Sequence, residues 1–108
     1  MYISLKKEVR AYSDKGHIII KNNVSGAFRV LSPRAAFFIF LLKGIRVYED
    51  VKNDYNFLIS NKKAVIDLVL NDLKPYINFG ENVFEVGINE LTINDVVSCR
   101  NLNEISQC

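Results

Sequence analysis

Between residues 8 and 31 the apolar positions recur in twos and in short β-branched runs rather than at helical spacing. Glu8–Ser13 reads as a weak first strand, and Asp14-Lys15-Gly16 follows as a turn in which Gly16 can take a positive φ. The segment "HIIIKN", His17–Asn22, carries Ile18, Ile19 and Ile20, side chains suited to a pleated surface. Asn22-Asn23 and Ser25-Gly26 then break the run and predict a hairpin. The third strand is Ala27–Leu31. Its alternation sends Phe28 and Val30 to one face and Ala27, Arg29 and Leu31 to the other.

The period then changes. Ser32 is a good N-cap and Pro33 fits the first helical position, where a missing N–H is harmless. Ala35 to Leu42 propagate the helix, and Gly44 suits its C′ position. Apolar almost all round, this helix is expected at the buried centre of the domain. A second helix fits Val47–Leu58, with Tyr48, Val51, Tyr55 and Leu58 on one face. A third, capped by Ser60 or Asn61, runs from Lys62 towards Leu73, where Pro75 stops or kinks it and Gly80 closes the segment. The expected class is therefore α+β: a three-stranded antiparallel sheet followed by three helices, within a domain spanning residues 1–80.

Residues 81–108 differ in character, with more Asn and Ser, a possible strand at Val83–Val86, and "ELTINDVVS" without a clear cap. A linker to a further domain, a small addition and an ordered extension all remain open for this segment.

On the third helix Ile66, Val69, Leu70 and Leu73 form the stripe expected to meet the core, and Lys63, Asp67, Asn71 and Lys74 gather opposite. Val65 and Leu68 fall on a flank shared with Asn61 and Asp72. Either these two pack on the second helix or the tail, or they line an apolar groove beside the helix. A three-stranded sheet also has two edges with unpaired N–H and C=O groups, and Ala27–Leu31 lies at one of them. Small residues at Gly26 and Ala27 let another backbone approach, so an extended peptide can add there as a strand.

Composition narrows the chemistry without naming it. Hydrophobic residues make up 49% and charged residues 24% of the 108, an ordinary globular balance. Fourteen basic against twelve acidic residues give a net charge of +2, too even to predict nucleic-acid binding. His17 is the single histidine, so mechanisms needing two imidazoles are excluded. Cys99 and Cys108 have no nearby histidine, which leaves a zinc site without partners; with no Cys-x-x-Cys pair and no disulfide framework, a reducing cytoplasm is the expected compartment. The five glycines make neither a dinucleotide fingerprint nor a P-loop. The N-terminus lacks a continuous apolar signal region, since Lys6, Lys7, Glu8 and Arg10 interrupt it. The apolar run Ala35–Leu42 is far short of the ~20 residues a membrane helix needs. The expectation is a non-enzyme with no cofactor, no metal, no membrane and no nucleic-acid partner.

The order of three strands, then "LSPRAAFFIFLLKGIRVYEDVKNDY", then a capped apolar third helix resembles the RiPP recognition element, or PqqD-like domain. The features carrying the resemblance are Leu31-Ser32 at the helix start, Ile39–Gly44 closing the first helix and Tyr48–Val51 opening the second. It covers about residues 5–80 and rests on residue class. It implies a winged-helix-like fold that binds the leader of a ribosomally made precursor peptide as an extra strand, without catalysis, and delivers it to a modifying enzyme in cis or in trans. It places the leader on Ala27, Phe28, Arg29, Val30 and Leu31, with Lys62, Val65, Leu68, Val69 and Asp72 on the helix side. Such domains are often fused to radical-SAM peptide maturases, whose Cys-x-x-x-Cys-x-x-Cys signature is absent from this chain. Two rivals stand beside this reading: a winged-helix DNA-binding module, weakened by Asp67 and Asp72 on its would-be reading helix, and an oligomerisation domain pairing through its own edge. Oligomeric state stays undetermined.

Overall fold

The structure, a computed structural model, describes residues 1–58 and 69–98. Four strands open the chain: β1 (Tyr2–Leu5), β2 (Val9–Asp14), β3 (His17–Asn22) and β4 (Phe28–Val30). Helix α1 (Pro33–Phe40), the short β5 (Arg46–Val47) and α2 (Tyr48–Leu58) follow. Residues 69–72 are helical and lead into a 3-10 turn at Lys74–Tyr76. Strand β6 (Ile77–Gly80), β7 (Ile88–Asn89) and helix α3 (Ile93–Val97) complete the described chain.

These elements form an α+β fold, but the expected single three-stranded antiparallel sheet is replaced by two sheets. The larger has the order β4-β3-β2-β7, antiparallel except for the parallel β2–β7 pair. The smaller is β5-β1-β6, antiparallel throughout. Strand β1 escapes a pattern search because Ser4, between Ile3 and Leu5, is itself buried. Its hydroxyl donates to the carbonyl of Glu85 at 2.6 Å, which removes the penalty of burying a polar group. The pairing of Tyr2 with Gly80 is too distant in sequence for any local signal to announce.

Within the larger sheet Ala11, Ile18, Ile20 and Leu31 are fully buried. They join Ala36, Phe38 and Ile39 of α1 in one core, so the most apolar helix is central, as its pattern predicts. Ser32 caps α1 by accepting from the Ala35 N–H at 3.3 Å. Its far end is closed differently from expectation. Gly44 has a φ of +76° but lies in the bend beyond the helix, whose last turn is capped at Leu41. The Asn89 side-chain amide donates to the carbonyls of Ile39 and Leu42, at 2.8 and 3.1 Å, and so adds to the backbone bond from the Leu42 N–H that closes the last turn on Ile39. On α2, Val51 and Tyr55 face inward, with the Tyr55 ring edge-on to Phe38 at 5.6 Å.

Asn22 ties the sheet's turn to the rest of the molecule. Its side-chain oxygen accepts from the N–H groups of Val24 and Ser25 at 3.0 and 2.9 Å, shaping the β3–β4 turn. Its amide nitrogen donates to the Pro75 carbonyl at 3.2 Å and to Glu8 at 3.4 Å. Gly26 completes the turn with a φ of +78°, a conformation costly for any residue with a Cβ.

Residues 81–98 fold back onto this body. The N–H of Gly87 donates to the Leu5 carbonyl at 3.0 Å, and a Cβ there would collide with the carbonyl oxygens of Val9 and Lys6. Arg10 and Glu90 form an ion pair that holds the Glu90 carboxyl below its ordinary range. The Lys43 ammonium donates to the carbonyls of Asn89 and Leu91, and partial burial lowers its pKa. The possible strand at Val83–Val86 is irregular backbone, and the strand forms instead at Ile88–Asn89. Thr92 and Asp95 make a reciprocal capping box that starts α3, a cap the sequence reading passes over.

Two stability measurements follow. Asn22→Ala removes four side-chain hydrogen bonds and is expected to destabilise the fold by about 2–3 kcal/mol in urea unfolding. Burial pushes the Tyr55 phenol up to about 12, and its hydroxyl donates to the Arg34 carbonyl at 3.1 Å. The unfolded phenol ionises near pH 10 while the native one stays neutral, so its stabilisation is complete below about pH 10 and lost on the way to 12. Tyr55→Phe should flatten the fall in unfolding free energy across that window.

Candidate functional site

Strand β4 lies at an end of the larger sheet. It pairs with β3 through Val30–Ile19, Arg29–Ile20 and Phe28–Lys21, and among the described residues no strand lies on its other side. The hydrogen-bond phase decides which groups are offered outward. The Leu31 N–H donates to the Ile18 carbonyl and the Asn22 N–H to the Ala27 carbonyl, both at 2.8 Å. Antiparallel ladders alternate, so Ala27, Arg29 and Leu31 turn their backbone groups to β3, whereas Phe28 and Val30 turn theirs away. Two residues thus present an N–H and a C=O each to a neighbour on the open side.

The side chains alternate as well. Phe28 and Val30 project from the sheet face opposite the core and remain 60% and 44% exposed. Arg29 projects from the core-side face, and its guanidinium donates to the Asp72 carbonyl at 3.3 Å. That contact brings β4 beside the helical end at 69–72 and places a cation on its C-terminal carbonyls. Arg29 has no carboxylate partner among the described residues, and four of its five N–H donors lack a recorded bond.

The other expected site positions distribute unevenly. Ala27 is half-buried, and the Leu31 side chain is fully enclosed in the core. Val69 is buried in that same core, whereas the Asp72 side chain is exposed. Lys62, Val65 and Leu68 lie outside the described residues, as do Cys99 and Cys108. The structure therefore brings Phe28, Arg29, Val30 and Asp72 to one edge. Alternation along Ala27–Leu31 marks the two faces in the sequence, but the reach of Arg29 to Asp72 has no sequence signal, being a tertiary contact across 43 positions.

Two clefts lie elsewhere. One of about 320 Å³ is lined by Leu70, Lys74, Ile77 and Phe79, and one of about 310 Å³ runs along Asn78, Phe79 and residues 82–85. Neither takes a described residue from β4. Among the described residues no three His, Cys, Asp or Glu side chains gather to hold a metal, and no helix is long and apolar enough to cross a membrane. No family model, curated protein or solved structure matches the chain.

The ladder phase makes a test of its own. The Arg29 N–H belongs to the β3–β4 ladder, so Arg29→Pro should destabilise the domain by about 1–3 kcal/mol. Val30→Pro removes an outward N–H and should lower the urea midpoint distinctly less. A larger loss for Val30→Pro than for Arg29→Pro would reverse the assigned phase.

Proposed function

We propose that this chain is a non-catalytic recognition domain, winged-helix-like in arrangement, that binds the leader segment of a ribosomally synthesised precursor peptide by strand addition and presents it to a modifying enzyme in the cytoplasm. The observation that carries this reading is β4: a short edge strand whose open side lies beside a helical end. Strand addition needs unpaired backbone groups for affinity and neighbouring side chains for selection. Phe28 and Val30 supply the first, and with Arg29 and Asp72 they supply the second. A guest engaging both outward residues gains up to four main-chain hydrogen bonds, each worth about 0.5–1.5 kcal/mol net. The resulting affinity suits a carrier that must release its cargo. In this reading Lys62, Val65 and Leu68 continue the guest's path along the helix side, Lys62 meeting an acidic leader residue and the other two apolar ones.

Self-pairing is the second reading, favoured by the same exposed apolar pair on an edge that no described strand covers. Sedimentation across a wide concentration range separates the two, since a persistent monomer rejects it.

The direct test is a titration with synthetic leader segments from short precursor-like reading frames beside the gene, followed by amide resonances and hydrogen exchange. Saturable one-to-one binding should move and protect the amides of Phe28 and Val30 above all others. Perturbation confined to β7 or to the cleft at Leu70 and Phe79 would reject the β4 assignment.

A further inference from the structure

Resting on the strand-addition reading above, we propose that the edge selects its guest by an alternating apolar–acidic–apolar triplet, with the acidic residue seated opposite Arg29. The argument begins with face alternation. In a sheet, residues directly opposite each other on neighbouring strands point to the same face, whichever way the guest runs. Guest residues beside Phe28 and Val30 therefore share the outer face with those two exposed apolar side chains. An apolar residue at each position covers hydrocarbon that water otherwise meets. A charged residue there loses hydration and gains no partner.

The residue between them points the other way, to the face of Arg29. That guanidinium is held near the edge by its bond to the Asp72 carbonyl, so less side-chain freedom is lost when it binds. It has no carboxylate partner among the described residues, and its planar fork matches a carboxylate with two parallel N–H donors. If the guest is antiparallel, the position opposite Arg29 is a non-hydrogen-bonded pair, where side chains approach closest. Asp72, whose carbonyl holds Arg29, is itself exposed, and its carboxylate makes no ion pair with Arg29. Its charge favours a single acid in the guest over an acidic run.

Three capped heptapeptides of sequence Ser-Thr-Val-X-Val-Thr-Ser, with X as Glu, Gln or Lys, test this against the whole chain. Dissociation constants are read from the amide shifts of Phe28 and Val30. The expected order of affinity is Glu, then Gln, then Lys, spanning about threefold to tenfold at low salt and narrowing at 1 M salt. Arg29→Glu should invert the order, and Arg29→Gln should erase it, each with the native amide spectrum retained. If all three peptides move those amides with equal affinity, or if Arg29→Glu leaves the order unchanged, the triplet rule fails while strand addition stands. If none moves them at millimolar concentration, the edge reading fails and the rule falls with it.

Discussion

The side-chain amide of Asn22 is where the parts of this fold meet. It is almost wholly buried, so its hydrogen-bonding groups must find partners inside the protein. The carbonyl oxygen shapes the turn that delivers β4, while the nitrogen reaches Pro75 and Glu8. A hydrophobic residue of similar size would fill the space but lose the side-chain bonds to the turn, to the Pro75 carbonyl and to Glu8, leaving the Asn23 N–H to the Glu8 carbonyl as the backbone link there. Because those groups are directional, Asn22 fixes position and the surrounding isoleucines supply the driving force.

Local pattern carried the central half of the chain. The three isoleucines of β3, the Ser32-Pro33 start of α1 and the inward face of α2 each state their structure within a few residues. What stayed hidden depends on partners far along the chain. Strand β1 hides its nature behind a buried serine whose acceptor is Glu85, and β6 declares itself only once β1 is beside it. Strand β7 is two residues long, too short for any periodicity, and its place is set by the clearance at Gly87. The α3 start was legible in principle, since Thr92 and Asp95 have capping-box spacing with Asp in place of the usual Glu or Gln. At the candidate site, the faces of β4 could be read from alternation. The hydrogen-bond phase could not, because it depends on where the β3–β4 turn begins.

This division bears on what the site can be. Among the described residues, β4 offers main-chain groups, hydrocarbon and one guanidinium. Such a surface reads shape and alternation more than chemical identity, so an extended peptide suits it better than a small molecule. The core positions of Leu31 and Val69 support the edge from beneath. They hold the strand and the helical end in place without touching whatever arrives.

The return of the tail has one more consequence. By laying β7 along β2, the chain ends its larger sheet in two very short strands, the three-residue β4 on one side and the two-residue β7 on the other. Edges this short offer few main-chain groups from which a sheet could grow. Two copies meeting edge to edge through β4 would each use the same patch, an arrangement that closes as a pair instead of propagating into a fibre.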